Sequence, residues 1–303
     1  MSDFWFTERE AAGFENRFLI EEEIFQGKSD YQEIRVLASR PYGRMLILDG
    51  IVQTTESDEF VYHEMLVHVP LMLHTAPRAV LIVGGGDGGT LRRVLEHPSV
   101  ERAVMVEIDR DVVDVSRRYL PSIAGEAWDD PRAELIFGDG AAYAMNAADG
   151  SFDAVLIDST DVIVGQEEGS PGVGGPALSL FTPEFFGHCA RILSADGVLA
   201  AQSGGPLYQP AELALWSGHI GSAFPTVATY LCSVPTYPGV VWSFTLGTKT
   251  ADPFSPDVEE VVGRLKAMPH QSYYNALIQV SAFVLPNYVE EIIRKGLGMG
   301  TAS

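Results

Sequence analysis

The sequence has few cysteines, no excess of basic residues and no long apolar run, and each absence excludes a class of protein. Its two cysteines, Cys189 and Cys232, lack the spacing of a metal motif and are too few for a disulfide framework. A membrane-spanning helix needs about 18 uninterrupted apolar residues, and no such stretch occurs. The opening residues are acidic, unlike those of a signal peptide. We therefore expect a cytoplasmic protein without a metal.

The charge is strongly one-sided. Asp and Glu number 41 against 20 Lys and Arg, and the net charge is −21. A nucleic-acid-binding protein needs clustered basic residues, so this class is disfavoured. An acidic surface alone indicates solubility. Steering of cationic substrates becomes the better explanation only if acidic residues also line the functional site.

The first part of the chain is typical of β structure. "YQEIRVLAS" alternates apolar and polar residues, "RPYG" supplies turn residues, and "RMLILDGIVQTT" continues the extended pattern. A helical apolar spacing begins in "DEFVYHEMLVHVPLMLH". We predict a small antiparallel β domain over residues 1–58 and a second domain over residues 59–303.

The second domain alternates between strand and helix patterns. The predicted strands are 80–83, 102–109, 133–139, 152–161 and 197–203. The predicted helices are 90–96, 110–120, 181–193 and 255–268. Thr182 before Pro183 is expected to cap the third helix, and Ser255 before Pro256 the fourth. This rhythm predicts a Rossmann-like, doubly wound and mainly parallel sheet with helices on both faces.

Four successive strands of this sheet end in acidic residues. Asp87 lies in the loop "GGGDGG", Glu107 ends "MVE", Asp139 lies in "GDG", and Asp158 and Asp161 frame "DSTD". In doubly wound sheets, ligands bind beyond the carboxyl ends of the strands. The carboxylates are therefore expected to converge on one edge of the sheet.

Each of these motifs is weak by itself. Gly84, Gly86 and Gly89 satisfy GxGxxG, which fits many nucleotide sites. Glu107 follows about 20 residues later, where an acid accepts the ribose hydroxyls. Asp139 fits a turn residue as well as a partner of the adenine amino group, and "DSTD" fits a capping turn. Their convergence on one edge indicates a site for an adenosine-containing ligand.

The aspartate in the glycine loop discriminates between three such ligands. The pyrophosphate of NAD and the carboxylate of S-adenosylmethionine would both lie near Asp87 and be repelled by it. Decarboxylated S-adenosylmethionine ends in an ammonium group, with which Asp87 forms a charge-assisted hydrogen bond. The loop therefore favours an adenosyl sulfonium with a cationic tail.

The order of these motifs is also that of a known family. "YQEIRV", "LDGIVQTTESDEFVYHEML", "VLIVGGGDGGTLRRVLEHPSVERAVMVEID", "LIDSTD", "GPALSLF", "PTYPGV" and "YYNALIQVSAFVLP" occur along nearly the whole chain. On these stretches the sequence resembles the spermidine synthase, or polyamine aminopropyltransferase, family. The resemblance implies transfer of an aminopropyl group from decarboxylated S-adenosylmethionine to a diamine, with putrescine as the expected acceptor.

The resemblance also implies a role for individual residues. Asp158 would be the general base. The polyamine would be bound by Tyr62, His63, Asp87, Asp161 and Tyr237. The adenosyl donor would be bound by Gln32, Gly84, Gly86, Asp87, Glu107, Asp139, Gly140 and Pro176. The donor is a co-substrate, so the resemblance implies no cofactor and no metal. It also implies a homodimer, with a larger oligomer as the alternative.

Alternatives remain at this point. Cadaverine, agmatine or a longer polyamine could be the acceptor. An NAD-dependent oxidoreductase would use the same glycine loop but leaves Asp87 and Asp158 unexplained, and a non-catalytic polyamine-binding protein would release no methylthioadenosine.

Three departures from the family pattern bear on the acceptor. The connection 162–174 is long and carries Glu167 and Glu168, Gly204 replaces an acid in "QSGGP", and Gln279 replaces a histidine.

Overall fold

The computed structural model describes residues 4–9, 13–160 and 176–299. Asp161 and the connection with Glu167 and Glu168 lie outside the described residues, as does the side chain of Pro176. Among the described residues, no helix combines the length and apolar content needed to cross a bilayer.

Antiparallel strands occupy residues 4–55. They are β1 (Phe4–Glu8), β2 (Asn16–Ile20), β3 (Glu22–Lys28), β4 (Glu33–Ser39), β5 (Gly43–Leu48) and β6 (Ile51–Thr55). β1 and β2 form a hairpin, and β3 to β6 form a four-stranded sheet in sequence order. Asp49 and Gly50 both have positive φ between β5 and β6. An Asp-Gly pair is favoured in such two-residue turns because glycine adopts positive φ at no steric cost.

The remaining described residues alternate between helices and strands. The helices are α1 (Glu59–Leu73), α2 (Gly89–Leu95), α3 (Arg110–Tyr119), α4 (Pro121–Ala124), α5 (Gly140–Asn146), α6 (Pro183–Ile192), α7 (Pro210–Ala223), α8 (Val258–Leu265), α9 (Ala276–Ser281) and α10 (Asn287–Gly296). The strands are β7 (Ala79–Gly84), β8 (Arg102–Glu107), β9 (Ala133–Phe137), β10 (Phe152–Asp158), β11 (Leu193–Gln202), β12 (Thr226–Ser233) and β13 (Val241–Thr248).

The larger sheet has the strand order β12-β13-β11-β10-β7-β8-β9. β7 to β11 are mutually parallel, and β13 pairs antiparallel with both β11 and β12. From β7 the chain adds β8 and β9 on one side and β10 and β11 on the other. The strand order therefore reverses between β7 and β10, and at such a point a crevice opens beyond the carboxyl ends of the strands.

Apolar residues explain how the layers pack. One buried cluster covers the α1 and α2 face of the parallel sheet, and a second covers the face of α5, α6 and α7. The four-stranded sheet packs Ile34 and Val36 against Val112 and Val115 of α3. Its opposite face packs against the β1–β2 hairpin. The predicted fold class is confirmed, and the boundary at residue 58 stays a prediction.

The structure corrects one predicted helix cap and adds elements that were not predicted, among them helices α4, α5, α7, α9 and α10. Asp257, not Ser255, caps α8, because its side chain accepts hydrogen bonds from the backbone N–H groups of Glu259 and Glu260. Thr182 caps α6 as predicted, accepting from Phe185. The β1–β2 hairpin and the antiparallel strands β12 and β13 were not predicted.

Candidate active site

A cavity of about 1100 Å³, including its open mouth, lies at the crevice between the four-stranded sheet and the carboxyl ends of β7 to β10. Its lining includes the predicted site residues Gln32, Tyr62, His63, Gly84, Gly86, Asp87, Glu107, Asp139, Gly140, Asp158 and Tyr237. The expected convergence of the four acidic strand ends is therefore confirmed for the described residues.

The glycine loop brings Asp87 and Asp158 into one site. Gly84 has a φ of +85°, and a Cβ there would lie 2.2 Å from the carbonyl oxygen of Asp158. Glycine is therefore needed for this close approach of two backbones. The N–H of Gly85 donates to the same carbonyl oxygen at 2.8 Å. The end of β10 is in this way fixed against the loop, with Gly86 continuing the cavity wall.

Asp158 is held by two hydroxyl groups. Tyr62 Oη donates to Oδ1 at 2.7 Å and Thr90 Oγ1 donates to Oδ2 at 2.7 Å. Burial raises the pKa of this carboxyl group and Asp87 raises it further, while His63 and the two hydroxyls oppose the shift. Asp158 is thus oriented at both oxygens and has more affinity for a proton than an exposed aspartate. Thr90 was not predicted, although it directly follows the glycine loop.

Asp87 lies at the N-terminus of α2. Its Oδ1 accepts from the backbone N–H of Gly89 at 2.8 Å, and its Oδ2 lies 3.4 Å from Nε2 of His63. The carboxylate therefore occupies the position at which a phosphate or carboxylate ligand would meet the N–H groups of a helix.

His63 lies between two carboxylates. Nδ1 is 2.7 Å from Oε2 of Glu59, and the side chain is only 2% exposed. Burial alone would lower its pKa, but the charges and hydrogen bonds of Asp87 and Glu59 raise the pKa to about 10. Arg93 donates to the other oxygen of Glu59 at 3.0 Å. Neither Glu59 nor Arg93 is among the cavity-lining residues, and neither was predicted from the sequence. They contribute to the site only through His63.

Glu107 is buried at the end of β8. Burial raises its pKa to about 7 and the charges of Asp109 and Asp158 add to the shift, while hydrogen bonds from the backbone N–H groups of Asp109 and Ile108 oppose it. Its Oε1 accepts from the backbone N–H of Asp109 at 2.8 Å.

Asp109 connects this edge to the four-stranded sheet. Its Oδ2 accepts from Ser29 Oγ at 2.6 Å and from Gln32 Nε2 at 2.9 Å, both in the β3–β4 turn. The predicted reach of Gln32 across to the second domain therefore depends on Asp109, a residue that was not predicted to belong to the site.

Asp139 caps α5 and also lines the cavity. Its Oδ1 accepts from the N–H groups of Ala141 and Ala142 at 2.7 and 3.3 Å. Both sequence interpretations of this residue, turn residue and site residue, are therefore compatible with its position.

An aromatic wall extends from the carboxylates. The ring of Tyr237 lies 5.9 Å from that of Tyr62 and 4.6 Å from that of Trp242, measured between centroids. Tyr237 Oη donates to the backbone carbonyl of Gln53 at 2.6 Å. Asp58 fixes the preceding residue, Thr236, through its N–H and hydroxyl groups. Trp242 lines the same cavity and has no sequence signal beyond its residue type.

Two of the three departures from the family pattern, Gly204 and Gln279, lie within the described residues. Gly204 has a φ of +77°, and a Cβ there would lie 2.6 Å from Oε1 of Gln209, so Gln209 fills the space of a side chain at this position. Gln279 is buried, bonds to Tyr274 and donates to the carbonyl of Val69 at 3.2 Å. Gln279 belongs to the packing of α9 against α1, and neither Gln279 nor Gly204 is among the described residues that line the cavity. That these two departures bear on the acceptor stays a prediction.

The fold and the site together define a Rossmann-like α/β protein with a carboxylate-lined cavity at its topological switch point. Comparison with known families specifies it further. Residues 59–256 match the family model described as spermine/spermidine synthase domain, and residues 4–56 match the one described as spermidine synthase tetramerisation domain. The chain therefore belongs to the spermine/spermidine synthase family and is an enzyme of the polyamine aminopropyltransferase class.

Individual relatives agree over the full length. A polyamine aminopropyltransferase of Thermoanaerobacter sp. strain X514 is 43% identical over 290 residues, covering 96% of this chain and 98% of the relative. The enzyme of the same name from Bacillus subtilis strain 168 is 36% identical over 294 residues, covering 97% and 100%. A crystal structure of spermidine synthase in complex with the transition-state analogue AdoDATO superposes with a TM-score of 0.89 at 38% identity, covering 98% and 96%. That of Thermotoga maritima spermidine synthase gives 0.86 at 37%, covering 99% and 96%.

Proposed function

We propose that this enzyme transfers the aminopropyl group of decarboxylated S-adenosylmethionine to a diamine, with putrescine as the first acceptor, giving spermidine and 5′-methylthioadenosine. The observation that carries this proposal is the pair Asp87 and Asp158, two part-buried carboxylates, one within the glycine loop and one at the end of the strand packed against it. A site that must bind one amine as a cation and deprotonate another needs two such groups with different surroundings.

The donor is bound by the strand ends in sequence order. Asp87 pairs with the ammonium group of its aminopropyl tail. Glu107 accepts the ribose hydroxyls, Asp139 and Gly140 contact adenine, and Gln32 reaches over from the β3–β4 turn. NAD fits this arrangement poorly, because the carboxylate of Asp87 already accepts the N–H of Gly89 at the N-terminus of α2.

Asp158 acts as the general base. An alkylammonium group has a pKa of about 10 and no lone pair, so the acceptor must lose a proton before it attacks. Asp158 takes this proton while Tyr62 and Thr90 hold its two oxygens. The nitrogen then displaces the thioether sulfur from the propyl carbon, and methylthioadenosine leaves. The sulfonium is already an activated leaving group, so we propose neither a cofactor nor a metal.

The acceptor occupies the aromatic wall of Tyr62, Tyr237 and Trp242. Aromatic rings pack against a methylene chain and attract its cationic ends. A panel of acceptor amines tests the choice of putrescine. Methylthioadenosine release is measured with putrescine, cadaverine, agmatine, diaminopropane and spermidine. Fastest release with another amine would overturn the proposed acceptor, and release with none would overturn the transferase.

The affinity for methylthioadenosine should rise with pH. Ionised Glu107 accepts both ribose hydroxyls, but with a pKa of about 7 it is largely protonated at pH 6 in the empty enzyme. The dissociation constant should fall by about tenfold between pH 6 and pH 8.5, since only the ionised form binds well. Calorimetric titration at both pH values measures this change. The Glu107→Gln variant should show a flat profile, and a flat profile in the unaltered enzyme contradicts the role.

Exchanging hydrogen-bond donor and acceptor between Asp109 and Gln32 tests whether this bond positions Gln32 for binding of decarboxylated S-adenosylmethionine or only stabilises the fold. In Asp109→Asn the carboxylate oxygen that accepts the hydrogen bond from Gln32 Nε2 is lost. An unpaired buried polar group costs about 1–3 kcal/mol. The KM for decarboxylated S-adenosylmethionine should rise by roughly five- to 150-fold. Adding Gln32→Glu restores the pair with the donor and acceptor exchanged.

Rescue of the donor KM by this double variant is the expected result. The KM for the acceptor amine should stay constant throughout, and Asp30→Asn, at an exposed position of the same turn, is the matched control. A double variant no better than Asp109→Asn would contradict the positioning role.

We propose a homo-oligomer. The match of residues 4–56 to a family model described as a tetramerisation domain supports this and makes a tetramer the alternative to the expected homodimer. Analytical ultracentrifugation distinguishes the two. The cytoplasmic location stays a prediction, which cell fractionation tests.

A further inference from the structure

His63 is placed as a cation inside the site that takes the cationic end of the donor. Its Nε2 lies 3.4 Å from Oδ2 of Asp87, and its Nδ1 lies 2.7 Å from Oε2 of Glu59. Ligand atoms of His63, Asp87 and Asp158 lie within 4.8 Å of one another. A protonated imidazole has no free lone pair, so this cluster suits a cation that brings its own N–H groups better than a metal ion.

The charges around His63 keep it protonated in the empty enzyme. Glu59 faces it from its own helix, Asp87 from the glycine loop and Asp158 from β10. Arg93 of α2 faces Glu59, donates to Glu96 at 2.8 Å and lies 4.0 Å from Glu64. The carboxylates outnumber the cations, and the pKa of His63 is accordingly raised to about 10 despite its burial.

This arrangement conflicts with donor binding as proposed above. The donor's ammonium group pairs with the same carboxylate, Asp87. Two cations within hydrogen-bond distance of one buried carboxylate repel each other strongly. In addition, an imidazolium only donates hydrogen bonds, whereas an ammonium group needs acceptors.

We propose that His63 is an internal counter-ion of Asp87 and that it releases its Nε2 proton to solvent when the donor's ammonium group binds. Nε2 then accepts a hydrogen bond from that ammonium group. Glu59 is the positioning residue for this exchange, because its carboxylate retains the proton on Nδ1 and so leaves the lone pair on the nitrogen that faces the ligand. The Nε2–H bond breaks, its electron pair stays on the nitrogen, and the proton passes to the buffer. This inference rests on the proposed function.

The proton exchange distinguishes a ligand that carries an ammonium group from one that does not. Methylthioadenosine has no ammonium group and leaves the pair of His63 and Asp87 intact. After transfer, the aminopropyl ammonium group leaves as part of the polyamine product, and His63 takes up a proton and restores the pair. The enzyme thereby avoids leaving Asp87 as an unpaired, largely desolvated charge in the empty site.

Calorimetry measures how many protons the enzyme releases when a ligand binds. Donor or methylthioadenosine is titrated into the enzyme at pH 8.5, without acceptor, in buffers of different ionisation enthalpy. At this pH Glu107 is already ionised and His63 still protonated. We expect about one proton released per donor bound and almost none per methylthioadenosine. His63→Gln should abolish the difference between the ligands, and His270→Gln, at an exposed position, should keep it.

Equal proton release with both ligands, or a difference that persists in His63→Gln, would overturn the inference. If His63→Gln does not fold, 15N NMR of the histidine-labelled enzyme answers the same question. The Nε2 resonance of His63 should change from a protonated to an unprotonated shift with donor and stay unchanged with methylthioadenosine. Failure of both ligands to bind would count against the proposed function, whereas turnover without the change overturns only this inference.

Discussion

Replacing Asp158 by asparagine is expected to lower kcat by about 10²–10⁴-fold, the usual contribution of a general base. Asparagine has the same shape as aspartate, and the hydroxyls of Tyr62 and Thr90 can rotate to donate to its oxygen or accept from its nitrogen. The site should therefore keep its geometry while losing the group that accepts the proton. Single-turnover release of methylthioadenosine measures the chemical step directly.

Binding and stability provide the controls for this variant. The dissociation constant of methylthioadenosine should change little, because Asp158 contacts the acceptor and not the nucleoside in the proposed complex. The melting temperature should stay level or rise, since burial raises the pKa of Asp158 and its ionised form is costly in the fold. Asp114→Asn, at an exposed position of α3, is the matched substitution. A loss of kcat below about tenfold would assign the base to another residue.

The fold and part of the site follow from local patterns in the sequence. Alternating and continuous apolar runs mark the strands, and the parallel arrangement places Glu107, Asp139 and Asp158 at one edge. These residues were predictable because each lies at the end of its strand or within two residues of it, so that the position along the chain determines the position in space.

The supporting residues lack such a signal. Thr90 and Tyr62 meet Asp158 across 68 and 96 positions of sequence, and Asp109 meets Gln32 across 77. These contacts depend on how helices and sheets pack, which a residue pattern within one element does not encode. Ser255 was wrongly predicted as a cap for a related reason. Two capping residues, Ser255 and Asp257, flank one proline, and only the backbone geometry decides between them.

Replacing Asp87 by asparagine is expected to weaken donor binding by about a hundredfold. Hydrogen bonds to charged groups contribute about 1.5–3 kcal/mol, and the upper part of this range corresponds to that factor. The asparagine Oδ1 can still accept from the N–H of Gly89, so the turn at the start of α2 should remain. The KM for decarboxylated S-adenosylmethionine and the inhibition constant of methylthioadenosine measure the effect.

The same substitution tests why the loop contains an acid. Methylthioadenosine has no ammonium group, so its inhibition constant should change by less than about threefold, within the range of an isosteric surface change. S-adenosylmethionine itself should bind more tightly to Asp87→Asn than to the unaltered enzyme, because the repulsion between its carboxylate and Asp87 is gone. The ratio of the two affinities would then fall, because the decarboxylated donor binds more weakly and S-adenosylmethionine binds more tightly. If binding of all three nucleosides weakened equally, Asp87 would only maintain the loop conformation. Another group would then have to bind the ammonium group of the donor.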